Sequence, residues 1–228
     1  MRWTIKLFGR HTNCFNSKIT KMGGFKVKPT AKDIEKLSNT ARPMDLKNLT
    51  LITGGARSGK SLLAEKFAAA SNLPVVYLAT MEEMHDDAET VMRIDLHRSR
   101  RPKNWQTVES PLSLSTAIFN LEKGEQTCII DCISLLVSNI LLKTNGEGTR
   151  MLEARKEVLK EITLVLTAMN ERPKTQFLAV TNEVGSGIVP ENSLARSYRD
   201  LLGETNQLVA ASAHRVFLCC AGIHIHIK

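Results

Sequence analysis

Eight consecutive residues carry the strongest chemical signal in the chain: Gly54, Gly55, Ala56, Arg57, Ser58, Gly59, Lys60 and Ser61. They match G-x-x-x-x-G-K-[ST] at every position. Glycines at this spacing let the backbone curl so that successive N–H groups and the start of a helix face phosphate oxygens. Lys60 then brings a mobile positive charge to the β and γ phosphates, and Ser61 offers its hydroxyl to Mg2+. A glycine-rich turn that binds nothing is the plain alternative, but Lys and Ser gain little at a helix start without an anion. The loop specifies a nucleoside triphosphate and leaves the reaction open.

Two other places could act on the same phosphates. Asp131 closes the run TCIID at the C-terminal end of a strand, where open α/β sheets bind ligands. A carboxylate there can hold the Mg2+ shell, as in the Walker B arrangement, or simply cap the next helix. The second place is RIDLHRSRRPKNWQTVE, residues 93–109, in which His97 is followed by Arg98, Ser99, Arg100 and Arg101 before Pro102 limits a helical pattern. Taken alone, such a cluster is a solvated helix end, where cations favour the C-terminal dipole. Beside a phosphate loop it gains another reading: arginines neutralise phosphate oxygens through planar bonds, and a neutral imidazole nitrogen can attack phosphorus. No N-K-x-D occurs, so guanine reading of the regulatory GTPase kind is not indicated.

The elements that must position these residues are short apolar runs alternating with helical patterns. LTLIT (49–53), VVYLAT (75–80), TCIID (127–131), QFLAVT (176–181) and RVFLCC (215–220) are nearly continuous in apolar side chains. Strands buried on both faces read this way, so the pattern predicts a mostly parallel sheet between helical layers, an α/β fold. Only Ala221 and Gly222 separate RVFLCC from IHIHIK, too few for a crossover helix. That end should be an antiparallel hairpin at the sheet edge.

Of the formal charge of +8, none belongs to this region. Residues 1–48 hold 11 Lys and Arg against 3 Asp and Glu, whereas the remainder holds 20 of each. The first segment is expected to be a disordered basic extension outside the folded unit, which then spans residues 49–228; Met44 is a candidate natural start. It has no apolar stretch long enough for a secretory or membrane-spanning segment. Of the five cysteines, Cys128, Cys132, Cys219 and Cys220 stand in or beside apolar runs and Cys14 lies in the extension; buried reduced thiols in a cytoplasmic protein account for them better than disulfides or zinc. His224 and His226 share one strand face and are expected on a solvated terminal strand rather than in a metal site.

Taken together, TGGARSGKS, YLAT, RIDLHRSRRPKNWQTVE, IIDCIS, VTNEVGSGIVPENSLARSYRDLLGETNQ and GIHIHIK resemble the bifunctional adenosylcobinamide kinase/adenosylcobinamide-phosphate guanylyltransferase family of cobalamin biosynthesis, from about residue 49 onward. Residues 1–48 have no counterpart. The resemblance implies a RecA-like P-loop three-layer sandwich and two reactions: phosphorylation of the aminopropanol hydroxyl of adenosylcobinamide, then transfer of GMP from GTP to that phosphate. In the family the second reaction passes through a GMP-histidine, and His97 occupies the matching position.

The nucleotide-binding positions carried over are the eight loop residues, Ala79, Thr80 and Met81, Arg98, Ser99, Arg100 and Arg101, Glu109 and Asp131, with Ser61 and Asp131 toward Mg2+. Many members have a small polar residue where Met81 stands, and several have Glu at the Asp131 position. The family segment at residues 181–191 is intact; its glycines suggest a mobile loop, with Asn182 and Glu183 as candidate substrate or Mg2+ contacts. The resemblance further implies ATP and GTP as substrates, neither nucleic acid nor membrane as partner, and a homo-oligomer like the family's trimers. Two rival readings remain open: a single-activity small-molecule kinase with a structural His97, and a nucleic-acid-stimulated RecA-like ATPase, against which the neutral remainder of the chain argues.

Overall fold

The computed structural model describes residues 41–81, 101–144 and 151–228. The described chain runs β1 (Leu46–Gly54), α1 (Lys60–Ala70), β2 (Val75–Ala79), β3 (Gln106–Glu109), α2 (Leu114–Phe119), β4 (Gln126–Asp131), α3 (Ile133–Lys143), α4 (Met151–Asn170), β5 (Thr175–Val180), α5 (Ser193–Ser212), β6 (Ala213–Cys220) and β7 (Ile223–His226). The seven strands form one sheet in the order β3-β2-β4-β5-β1-β6-β7, parallel throughout except for the β6–β7 pair. β1, which feeds the phosphate loop, sits between β5 and β6, and the antiparallel hairpin closes one edge as its short connection requires.

Alternation along each strand divides the apolar residues between two cores. Leu49, Leu51, Leu78, Ile130, Phe177 and Ala179 face one side, where α2, α3, α4 and α5 cover them. Ile52, Tyr77, Ile129, Leu178 and Val180 face the other, against Leu63, Ala64 and Ala68 of α1. The result is the three-layer P-loop arrangement expected from runs apolar on both faces. None of the described helices is long and apolar enough to cross a membrane.

Two elements exceed what the apolar pattern predicts. β1 begins at Leu46, three residues before the apolar run, and Leu46 is 2% exposed and paired with Ala213 of β6. Lys47 and Asn48 interrupt the run, but the Asn48 amide nitrogen has partners far along the chain: it donates to the carbonyls of Met169, Arg172 and Thr175 at 3.3, 2.9 and 3.0 Å. The three carbonyls belong to the last turn of α4, the connection after it and the first residue of β5, so the amide ties β1 to the α4–β5 turn. β3 is the second addition. Its four residues form the other sheet edge, where only Val108 packs on the core and little apolar signal is needed.

Ala221 and Gly222 both take positive φ, 51° and 81°, giving the mirror-image turn that suits a two-residue hairpin. His224 and His226 lie on exposed β7, with the His226 ring stacked on Phe217 at 4.7 Å. Among the described cysteines, Cys128, Cys132 and Cys219 are buried free thiols and Cys220 is an exposed one; Cys14 falls outside the described residues.

Candidate active site

The phosphate loop leaves the end of β1 under tight backbone control. Gly54 has φ +150°, and a Cβ there would stand 2.2 Å from the Cys219 carbonyl oxygen of β6, so only glycine lets the two strands end side by side. Gly59 turns the chain into α1 with φ +99°. The first helical residue is Lys60, with no side-chain cap and no acidic residue in the first turn. Its unpaired amides therefore present partial positive charge at the loop. Ser58 is buried: its carbonyl accepts from Gly222 N at 3.1 Å, while its hydroxyl finds no protein partner.

Lys60 is only 7% exposed and donates from Nζ to the Gly55 carbonyl at 2.5 Å, across the concavity of the loop. Burial lowers its ammonium pKa, opposed by Cys132, Asp131 and Cys219. Burial also pushes the Cys132 thiol up to about 11, so near neutral pH that side chain is uncharged and Asp131 is the carboxylate that supports the lysine.

Asp131 ends β4 half-buried, on the sheet face that carries α1. Pairing aligns Glu109 of β3, Ala79 of β2 and Asp131 of β4 in one row across the carboxyl ends of three parallel strands. Two of the carboxylates expected from sequence thus flank one small alanine. The Tyr77 hydroxyl, also on this face, donates to Asp131 Oδ2 at 2.5 Å. Above the same tyrosine ring lies Arg101, its guanidinium carbon 3.4 Å from the ring centroid and its buried Nε without a protein partner.

Thr80 is fully buried and bonded at every polar atom. Its amide donates to Asp131 O, its hydroxyl both donates to Cys132 O and accepts from Cys132 N at 2.7 Å, and its carbonyl accepts from Asn139 Nδ2 at 2.8 Å. Its visible work is to lock the ends of β2 and β4 together. Met81 follows, half-buried, at the limit of the described segment. His97, Arg98, Ser99 and Arg100 lie outside the described residues. At the segment where Asn182 and Glu183 are candidate contacts, Glu183 N donates to Gly54 O at 2.9 Å, its carboxylate accepts from Gly185 N at 2.6 Å, and Asn206 Nδ2 donates to Asn182 O at 2.9 Å.

No group of three or more His, Cys, Asp or Glu among the described residues could hold a metal by itself. Asp131 and Ser61 do offer hard oxygen donors beside the loop, which suits Mg2+, an ion that takes one or two protein ligands together with phosphate oxygens and water. Sequence reasoning passed over Tyr77, Asn139 and Gly222. A signal existed for the first: a hydroxyl in VVYLAT, a run otherwise suited to burial on both faces, calls for a specific partner.

A family model described as cobinamide kinase / cobinamide phosphate guanyltransferase matches residues 50–227. The chain is similar to the bifunctional adenosylcobalamin biosynthesis protein CobU of Salmonella typhimurium, at 39% identity over 184 residues, covering 79% of this chain and 99% of that protein. The CobU protein of Escherichia coli is 37% identical over 183 residues, with 79% and 99% covered. The bifunctional adenosylcobalamin biosynthesis protein CobP of Pseudomonas aeruginosa is 38% identical over 178 residues, with 78% and 96% covered.

Proposed function

The chain belongs to the cobinamide kinase / cobinamide phosphate guanyltransferase family, and on that premise we propose how its phosphate loop serves two reactions. The protein phosphorylates cobinamide and guanylylates cobinamide phosphate in cobalamin biosynthesis. The observation that carries the mechanism is the convergence of Lys60 and Asp131 at the carboxyl ends of β1 and β4, on the face where α1 begins.

In the kinase reaction the aminopropanol hydroxyl of adenosylcobinamide attacks the γ-phosphorus of ATP or GTP. The bond to the β–γ bridging oxygen breaks and a nucleoside diphosphate leaves. The backbone N–H groups of the loop orient the triphosphate, and Lys60 neutralises charge that grows on the bridging and γ oxygens. Nothing in this step requires a nucleophilic side chain.

In the guanylyl reaction the His97 imidazole nitrogen attacks the α-phosphorus of GTP, and pyrophosphate leaves. An oxygen of adenosylcobinamide phosphate then attacks the same phosphorus, the P–N bond breaks, and adenosylcobinamide-GDP forms with the histidine restored. Arg101, on the sheet face that carries Asp131, supplies a cation for the phosphate oxygens, the role also proposed for Arg98 and Arg100. Ser61 and Asp131 would hold Mg2+, which supplies charge neutralisation on the phosphate oxygens. The enzyme would work in the cytoplasm as a homo-oligomer.

The test separates the two half-reactions. With GTP and Mg2+ but no corrinoid, the protein should gain one GMP that maps by mass spectrometry to His97, is lost in acid and survives base. His97→Asn should lose the adduct and guanylyl transfer but keep kinase activity. An adduct on another residue would remove His97 from the mechanism, and absence of any adduct would replace the covalent route with direct attack of the corrinoid phosphate on GTP.

A further inference from the structure

Tyr77 is 1% exposed in the middle of a strand whose neighbours are aliphatic. Phenylalanine would fill this volume, and a buried hydroxyl is unfavourable unless it is bonded. Here its hydroxyl donates to Asp131 Oδ2, on the carboxylate that closes the neighbouring strand. Its ring meanwhile carries the Arg101 guanidinium over one face, the guanidinium carbon 3.4 Å from the centroid. One rigid ring therefore touches an acidic and a basic member of the site at the same time.

We propose that Tyr77 is a positioning residue for both transfer reactions: its hydroxyl fixes the rotation of the Asp131 carboxylate, and its ring fixes the plane of Arg101. This inference rests on the functional reading above for the role of Asp131 as a metal ligand. A carboxylate free to rotate would present either oxygen to a cation. With Oδ2 held by the tyrosine, Oδ1 is the oxygen left for a cation, and the entropy of choosing an orientation is lost on folding rather than at each binding event. Arg101 is treated likewise. Stacking restrains a long side chain while leaving its terminal N–H groups for a ligand, and its buried Nε has no protein acceptor. The tyrosine hydroxyl itself stays protonated, because burial and the nearby Asp131 carboxylate push its pKa well upward.

Two substitutions separate the two contacts. Tyr77→Phe keeps the ring under Arg101 and loses the bond to Asp131. In the presence of a nonhydrolysable GTP analogue, Mn2+ binding measured by electron paramagnetic resonance should weaken about fivefold or more, as expected for losing roughly 1 kcal/mol of preorganisation. Nucleotide affinity should hardly change, and both transfer rates should recover at high Mg2+. Tyr77→Leu should in addition weaken nucleotide binding, since Arg101 loses its platform. Wild-type Mn2+ affinity in Tyr77→Phe would overturn the carboxylate half of the proposal, and equal nucleotide affinity in the Phe and Leu variants would overturn the arginine half.

The wild-type protein supplies a check that does not depend on either variant folding. It has only two tyrosines, Tyr77 and Tyr198, and the latter donates to the Ser134 carbonyl rather than to Asp131. With ring-labelled tyrosine and the analogue bound, adding Mg2+ should shift the Tyr77 resonance and leave that of Tyr198 in place, the assignment being made with Tyr198→Phe. An unmoved Tyr77 signal would overturn the link to the metal. None of these binding readouts requires cobinamide, so they decide the role of Tyr77 separately from the identity of the acceptor.

Discussion

The amide of Gly222, in the turn of the terminal hairpin, donates to the carbonyl of Ser58 in the phosphate loop, 3.1 Å away. Gly222 Cα also lies 3.4 Å from where a Cβ on Gly59 would stand. The terminal hairpin thus braces the loop just before it turns into α1. Gly222 holds φ +81°, a conformation that costs about 1–2 kcal/mol for a residue with a side chain. Gly222→Ala should weaken GTP affinity about fivefold in a calorimetric titration while the hairpin persists, by the usual conversion of 1.4 kcal/mol per tenfold. Unchanged affinity would show that the loop keeps its shape without the brace.

Gly54→Ala should act on the whole fold rather than on the loop alone. The added carbon would meet the Cys219 carbonyl at 2.2 Å, and a backbone group of a neighbouring strand cannot swing aside. Overpacking and backbone strain together should remove about 2–4 kcal/mol of stability, measured by urea unfolding. A midpoint equal to wild type would mean that β6 shifts freely, contrary to its pairing with β1.

Lys60→Ala should lower both the kinase and the guanylyl rates about a hundredfold or more, because both reactions draw on the same loop cation. The pH profile gives a second reading. Burial lowers the ammonium pKa from its usual 10.5, and the protonated form is the one that meets phosphate. Raising the pH should therefore cost kcat/KM for the nucleotide earlier than an exposed lysine would allow. In Lys60→Arg, charged across this range, that alkaline limb should disappear even if the rate is lower. A limb that persists in the Arg variant belongs to another group.

A chain beginning at Met44 should fold and retain both activities, since the basic excess precedes it and its backbone nitrogen can still donate to Ser212 Oγ, 3.0 Å away. Removal through Asn48 should not be tolerated. It deletes Leu46, 2% exposed, and the amide that serves three carbonyls across the α4–β5 turn, together about 4 kcal/mol or more. Thermal melting of the two truncations checks both halves. Insolubility of the Met44 chain would assign the preceding segment a packing role.

The strands at 75–80, 127–131 and 176–181 were readable because each is buried on both faces and therefore continuous in apolar residues. β3 and the start of β1 were hidden for opposite reasons. Gln106–Glu109 needs little apolar content at an edge, with only Val108 reaching the core. Leu46 lies behind two polar residues, and one of them, Asn48, is in the strand because its amide reaches carbonyls more than a hundred residues away.

The phosphate loop, the strand and helix on either side of it, the terminal hairpin and the family of chemistry are legible in the residues alone. These are local properties: glycine where φ must be positive, a cation and a hydroxyl at a helix start, and a connection of two residues. It takes the folded chain to show that Tyr77 stands between Asp131 and Arg101, that Thr80 bonds Cys132 and Asn139, and that Gly222 sits against Ser58. Each of these contacts depends on the strand order and the register. Those are set by the combined packing of two cores against one sheet, so a side chain's partner 54 residues away, as between Tyr77 and Asp131, has no signature in the residues around it.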